Sequence, residues 1–153
     1  MGVAVRELTL WVPGEPRGQA RPRHGRFGAH KSDDQVAYER TMQTEWIAAG
    51  RPVLESGPYA VTVKAYLKPP NGWWLKDGSP SADQRRRPFP TKVPDLDNLI
   101  KNVDALVAVG ALPDDAAMVA LHGFKFWAGG DVDPGLHVRA WSYTDTDERQ
   151  AAA

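Results

Sequence analysis

No cysteine occurs among the 153 residues, which excludes disulfide staples, thiolate metal sites and cysteine nucleophiles together. No apolar run approaches the ~18 residues needed to cross a bilayer. The N-terminus lacks a basic stretch followed by an apolar one, so no secretory signal is expected. Met1-Gly2 does not start a myristoylation signal, because Arg6 stands where Ser or Thr is needed. A cytoplasmic protein is the simplest expectation. An excess of one charge is also missing, since 19 Lys and Arg balance 19 Asp and Glu. There is no phosphate-cradling Gly-rich loop with its Lys and Ser/Thr, and no Gly-x-Ser-x-Gly elbow. Triphosphate hydrolysis and serine-hydrolase chemistry therefore have no support. His24, His30, His122 and His137 show no zinc spacing.

What is present is ordinary globular material, 42% hydrophobic and 25% charged, which rules out wholesale disorder. The length suits one compact domain, able to bury roughly 70% of its unfolded surface. With 14 Gly and 13 Pro, long loops are expected. The balanced charge is unevenly distributed. Arg17, Arg21, Arg23, Arg26 and Lys31 are opposed only by Glu15, and a second basic stretch runs from Lys64 to Lys92 with Arg85, Arg86 and Arg87 inside it. Acids gather between these stretches and the C-terminus, at residues 95–115 and again from Asp131 onward. Basic segments flanking an acidic centre suit a polyanion held around a cation, because arginines neutralise phosphates while carboxylates hold the metal.

Alternation of Leu8, Leu10 and Val12 predicts a strand over Val5–Val12, broken by Pro13-Gly14-Glu15-Pro16. A basic loop follows to about Lys31. Ser32 then caps a helix over about 33–49, which Gly50 stops. Tyr59 to Leu67 alternates as a strand. Residues 69–94 show no periodicity and form a long basic loop. Leu96, Leu99, Ile100, Val103, Leu106 and Val107 recur at three- and four-residue steps, predicting one helix from Asp95 to Gly110. Val119–Trp127 and Leu136–Tyr143 read as strands, and the Gly129–Gly135 link suggests a hairpin between them. The expected fold is α+β: a small mixed four-stranded sheet with two to three helices. A single domain spans residues 1–143, with a flexible tail at 144–153.

Chemistry concentrates in Pro94-Asp95-Leu96-Asp97-Asn98-Leu99-Ile100-Lys101, followed by Pro113-Asp114-Asp115. Acids at i and i+2 beside a helix start can aim oxygens at one hard cation while Leu96 points to the core. Mg²⁺ accepts such a set, because it keeps several waters and needs only two or three carboxylates plus substrate phosphate. Asp114 or Asp115 can return as a third ligand. Lys101, one turn after Asp97 on the same face, can stabilise a scissile phosphate or orient the attacking water. The plainer reading makes Asp97 and Lys101 a surface ion pair and Asp95 a helix cap. An EF-hand is excluded, because Ile100 stands where its loop needs Gly.

These residues resemble the RusA-type Holliday junction resolvases, small endodeoxyribonucleases of phages and prophages. The resemblance rests on Pro94–Lys101, on Asp104-Ala105-Leu106, on Asp114-Asp115 with Val119, and on the first strand running into a Pro/Arg-rich loop. It implies a homodimeric Mg²⁺-dependent enzyme, Mn²⁺ being the other candidate ion, that nicks a four-way DNA junction in recombination, repair or phage DNA processing. Carried over by position, Asp95, Asp97 and Asp115 are the metal-binding catalytic acids and Lys101 the essential lysine, with Asp114 a possible additional acid. Arg17, Arg21, Arg23, Arg85, Arg86 and Arg87 are the candidates for DNA backbone contact. One departure stands out: the family has three residues between that lysine and Asp-Ala-Leu, and here only Asn102 and Val103 intervene. One residue fewer turns the rest of a helix by ~100°. Trp73 and Trp74 either stack on opened bases or pack on the domain's own core, the second being preferred. Rival readings are a non-catalytic DNA-binding module, and a Mg²⁺-dependent phosphohydrolase acting on small substrates.

Overall fold

A strand apolar on successive positions belongs in the middle of a sheet, and Tyr59–Leu67 takes that place. In the computed structural model, which describes residues 2–19 and 23–144, this strand is β6. Before it come β1 (Val3–Val5), β2 (Glu7–Pro13), a small hairpin of β3 (Arg23–Gly25) and β4 (Gly28–His30), α1 (Asp33–Ala48) and β5 (Pro52–Leu54). After it come α2 (Ala82–Arg86), α3 (Leu96–Ile100), α4 (Val103–Ala108), β7 (Met118–Trp127) and β8 (Gly135–Ser142). The main sheet has the order β2-β8-β6-β7, with β7 parallel to β6 and the other pairs antiparallel. This is the expected mixed four-stranded α+β sheet. The polar tail expected at 144–153 lies outside the described residues beyond Thr144.

The core lies on one face of the sheet. Leu8, Leu10 and Val12, Val61, Val63 and Ala65, and Leu136, Val138 and Ala140 meet Met42 and Trp46 of α1 and Leu99, Val103 and Leu106 of the later helices. Helix α1 begins and ends as its sequence dictates. The Ser32 hydroxyl accepts from the Gln35 amide, and Gly50 adopts φ 91°. The Gly50 and Arg51 amides then return to the Ile47 and Trp46 carbonyls, closing the helix end.

Several expectations change. The first strand is two, because the chain bends at Arg6 and β1 leaves to pair in parallel with β5. The basic loop contains the β3–β4 hairpin, and the long loop contains α2. The Gly129–Gly135 link is no hairpin between neighbours: β7 and β8 lie on opposite sides of β6, so the link crosses its end. The single helix predicted from Asp95 to Gly110 is interrupted at Lys101-Asn102. Asn102, Asp104 and Ala105 donate to the carbonyls three residues back, a 3₁₀ tightening. That winding advances ~120° per residue instead of ~100°, so a few such residues recover much of the rotation lost with one residue.

Candidate functional site

The acids of α3 owe their position to a glycine on the neighbouring strand. A Cβ at Gly123 would stand 2.3 Å from Ile100 Cδ1 and 3.3 Å from Leu96 Cδ1, so α3 lies directly on β7. Asp95 is the residue before the helix, with extended backbone, and its carboxylate makes no capping hydrogen bond. Capping therefore does not explain it. Asp97, 72% exposed, faces Lys101 with Oδ2 3.6 Å from Nζ, and the same ammonium donates to Asn98 Oδ1 at 3.3 Å. The plainer reading of this pair is thus partly right, and between such exposed side chains it is worth only about 0.3–0.5 kcal/mol. Its value lies in holding an ammonium beside the Asp97 carboxylate.

A strap from the N-terminal loop crosses this helix. The Asn102 amide, buried at 1% exposure, donates to the Arg17 carbonyl at 2.7 Å and to the Leu99 carbonyl at 3.0 Å. The Gln19 amide donates to the Asn98 carbonyl at 2.9 Å. Between them Gly18 comes so close that a Cβ would lie 3.0 Å from Asn98 Cβ and 3.3 Å from Pro94 Cβ. A cavity of about 440 Å³ opens here, its lining including Arg17, Gly18, Asp34 and Pro94. Arg17 itself reaches Asp34 at 3.3 Å. Sequence reading missed Asn102, although an Asn inside an apolar helical stripe is the signal that marks it.

The returning acids stand at the start of β7. Asp114 accepts from the Ala116 amide at 2.9 Å, capping the 3₁₀ turn Asp115–Ala117. That hydrogen bond, helped by one to the Asp115 side chain, holds the Asp114 carboxyl below its usual range. The buried Tyr59 hydroxyl donates to the Pro113 carbonyl at 3.1 Å and so fixes this turn to the sheet. Burial, then the charges of Asp115, Asp114 and Asp104, push the Tyr59 pKa up. Tyr59 is the second residue that sequence reading did not single out.

Two acidic groups result, Asp95 and Asp97 with Lys101, and Asp104, Asp114 and Asp115 around Tyr59. Among the described residues no three His, Asp or Glu side chains close into a ready cation site. The donor chemistry nevertheless fits a hard divalent ion. Every side chain proposed for it offers carboxylate oxygen, and Asp95 has no competing cap bond.

The basic candidates divide. Arg17 lies on the strap; Arg21 lies outside the described residues; of Arg23 only the backbone is described, opening β3. Arg85 donates to the Pro80 carbonyl at 3.3 Å, Arg86 pairs with Asp83, and the Arg87 guanidinium lies 5.3 Å above the Trp73 ring. Trp73 is buried against Trp127 with ring centroids 5.2 Å apart, and Trp74 donates to the Ala128 carbonyl at 3.0 Å. Both pack on their own domain, as preferred.

The sequence profile of endodeoxyribonuclease RusA matches residues 13–139, most of the chain, and the chain belongs to that family. It is accordingly an endodeoxyribonuclease of the Holliday junction resolving type, a hydrolase of DNA phosphodiester bonds. No curated protein matches the chain. No helix among the described residues is long and apolar enough to cross a membrane.

Proposed function

We propose that the protein is a Mg²⁺-dependent homodimer that acts in the cytoplasm, cutting four-way DNA junctions during recombination, repair or phage DNA processing. The observation that carries the reading is the start of α3, where the Asp95 carboxylate makes no cap bond and Lys101 stands one turn beyond Asp97. Asp95, Asp97 and Asp115 would hold the ion, with Asp114 shaping the turn that presents Asp115. Bound there, Mg²⁺ supplies a Lewis acid for phosphodiester hydrolysis, and Mn²⁺ is the alternative ion. The chain's own residues do the rest. Lys101 offsets charge that develops on the scissile phosphate. Arg17, on a strap bonded to Asn98 and Asn102, would contact a DNA backbone phosphate. Arg21, Arg23 and Arg85–Arg87 extend the phosphate contacts. Two symmetric incisions require two active sites, which is the reason for a dimer.

The test is a gel assay on a mobile four-way junction with and without Mg²⁺. Wild type should release nicked duplexes ending in 5′-phosphate and 3′-hydroxyl, only with the ion present. Asp97→Asn should bind the junction and leave it whole. Cleavage by that variant at the wild-type rate removes α3 from the reaction.

A further inference from the structure

The helices cover one face of the main sheet; the other carries no helix, and Phe89 of the long loop reaches it at Phe126, ring centroids 6.5 Å apart. We infer that this helix-free face is a stacking platform for the unpaired bases of a single DNA strand. Cross-strand register sets Trp11, His137, Lys64 and Phe124 on one rung and Gly135, Tyr66 and Phe126 on the next. The rings form a continuous band: Trp11 to Tyr66 at 6.0 Å, Tyr66 to Phe126 at 5.5 Å, Phe126 to Phe124 at 5.8 Å and nearly parallel. Gly135 makes the band possible, because a Cβ there would sit 2.2 Å from the Trp11 ring. Both ends stay in solvent, with Trp11 36% and Phe124 43% exposed.

Charge selects the occupant. Lys64 lies on the band's own rung, and the Arg139 guanidinium, one rung away, covers the Trp141 ring at 4.7 Å. Glu7 is the one acid among the described strand residues of this face, and it is paired with Arg139 at 2.8 Å. Aromatic rings beside cations are what a single strand needs, bases stacking on the rings while phosphates meet the positive charge. A second copy of the chain fits less well, since pairing two such faces would bring two copies of each cation together and interface centres are poor in Lys. The platform lies across the sheet from α3, so it is separate from the acids and can be tested apart from them.

Fluorescence anisotropy of a labelled oligothymidylate of about 15 nucleotides, with an equally long hairpin duplex as control, reads the platform directly. The full-length protein should bind the single strand. Replacing Tyr66 and Phe124 by Leu should weaken it about tenfold or more while circular dichroism is unchanged. Should the double variant fail to fold, Phe124→Leu alone, at an exposed position, should still weaken binding several-fold. Lys64→Gln should lower affinity and flatten its salt dependence. Asp97→Asn should leave oligothymidylate affinity as in wild type, so a failed cleavage reading and a failed platform are told apart. The inference is overturned if wild type ignores the oligonucleotide, or if the Leu variants bind it undiminished. It is equally overturned if Phe124→Leu turns a sedimenting dimer into monomer at unchanged affinity, which assigns the face to a second copy.

Discussion

The side-chain amide of Asn102, itself buried, donates to the main-chain carbonyl of Arg17 across 2.7 Å, joining two segments 85 residues apart in a part-buried contact. The same amide holds the Leu99 carbonyl at the point where α3 gives way to α4. One residue therefore ties the arginine strap to the interruption in the helix that carries Asp97 and Lys101. Replacing Asn102 by Leu leaves the Arg17 carbonyl without its donor, at a cost of about 0.5–1.5 kcal/mol. Urea midpoints should fall accordingly, and junction affinity should fall beyond what the lost stability explains, because the strap is released. Unchanged affinity in the folded variant removes the strap from DNA binding.

The two adjacent acids of the turn before β7 should separate by role. Asp114 is the cap of that turn, so Asp114→Ala should lower the melting temperature while junction cleavage at saturating enzyme persists. Asp115→Asn should keep the fold and lose cleavage. Equal loss of cleavage from both substitutions makes Asp114 a direct participant.

Contact between α3 and β7 leaves no room for a methyl group at residue 123. Gly123→Ala should cost about 1–3 kcal/mol through overpacking and should reduce kcat by shifting Asp97 and Lys101. Adding Ile100→Ala removes the atoms the new methyl strikes, so the double variant should regain part of the lost activity. Single-turnover cleavage of a junction measures both. If the second substitution only deepens the loss, crowding is not the cause.

His137 lies beside Lys64 and Arg139, and burial first, then those two charges, push its pKa below the ordinary 6.5. The unfolded chain then binds the proton more readily than the folded one. Stability is therefore full above the ordinary value and declines as pH falls through it. Denaturation midpoints at pH 7.5 and 5.5 should differ in that direction, and His137→Gln should narrow the difference. A midpoint that rises on acidification contradicts the assignment.

Much was legible in the linear sequence, where local rules act. Ser32 and Gly50 bound α1 because caps are local; alternation located β6 and β8 because side chains project with a period of two. The same reading picked out Asp95, Asp97 and Lys101, since steps of two and then four residues set them around one helix start. Partner choice and close approach are different, for they depend on residues far apart in the chain. That β8 slips between β2 and β6, that Gly123 seats α3, that Asn102 and Tyr59 pin distant loops, and that four aromatic rings meet on one helix-free face are decided by packing. No periodicity within a segment encodes which surface a buried donor or a missing side chain will meet.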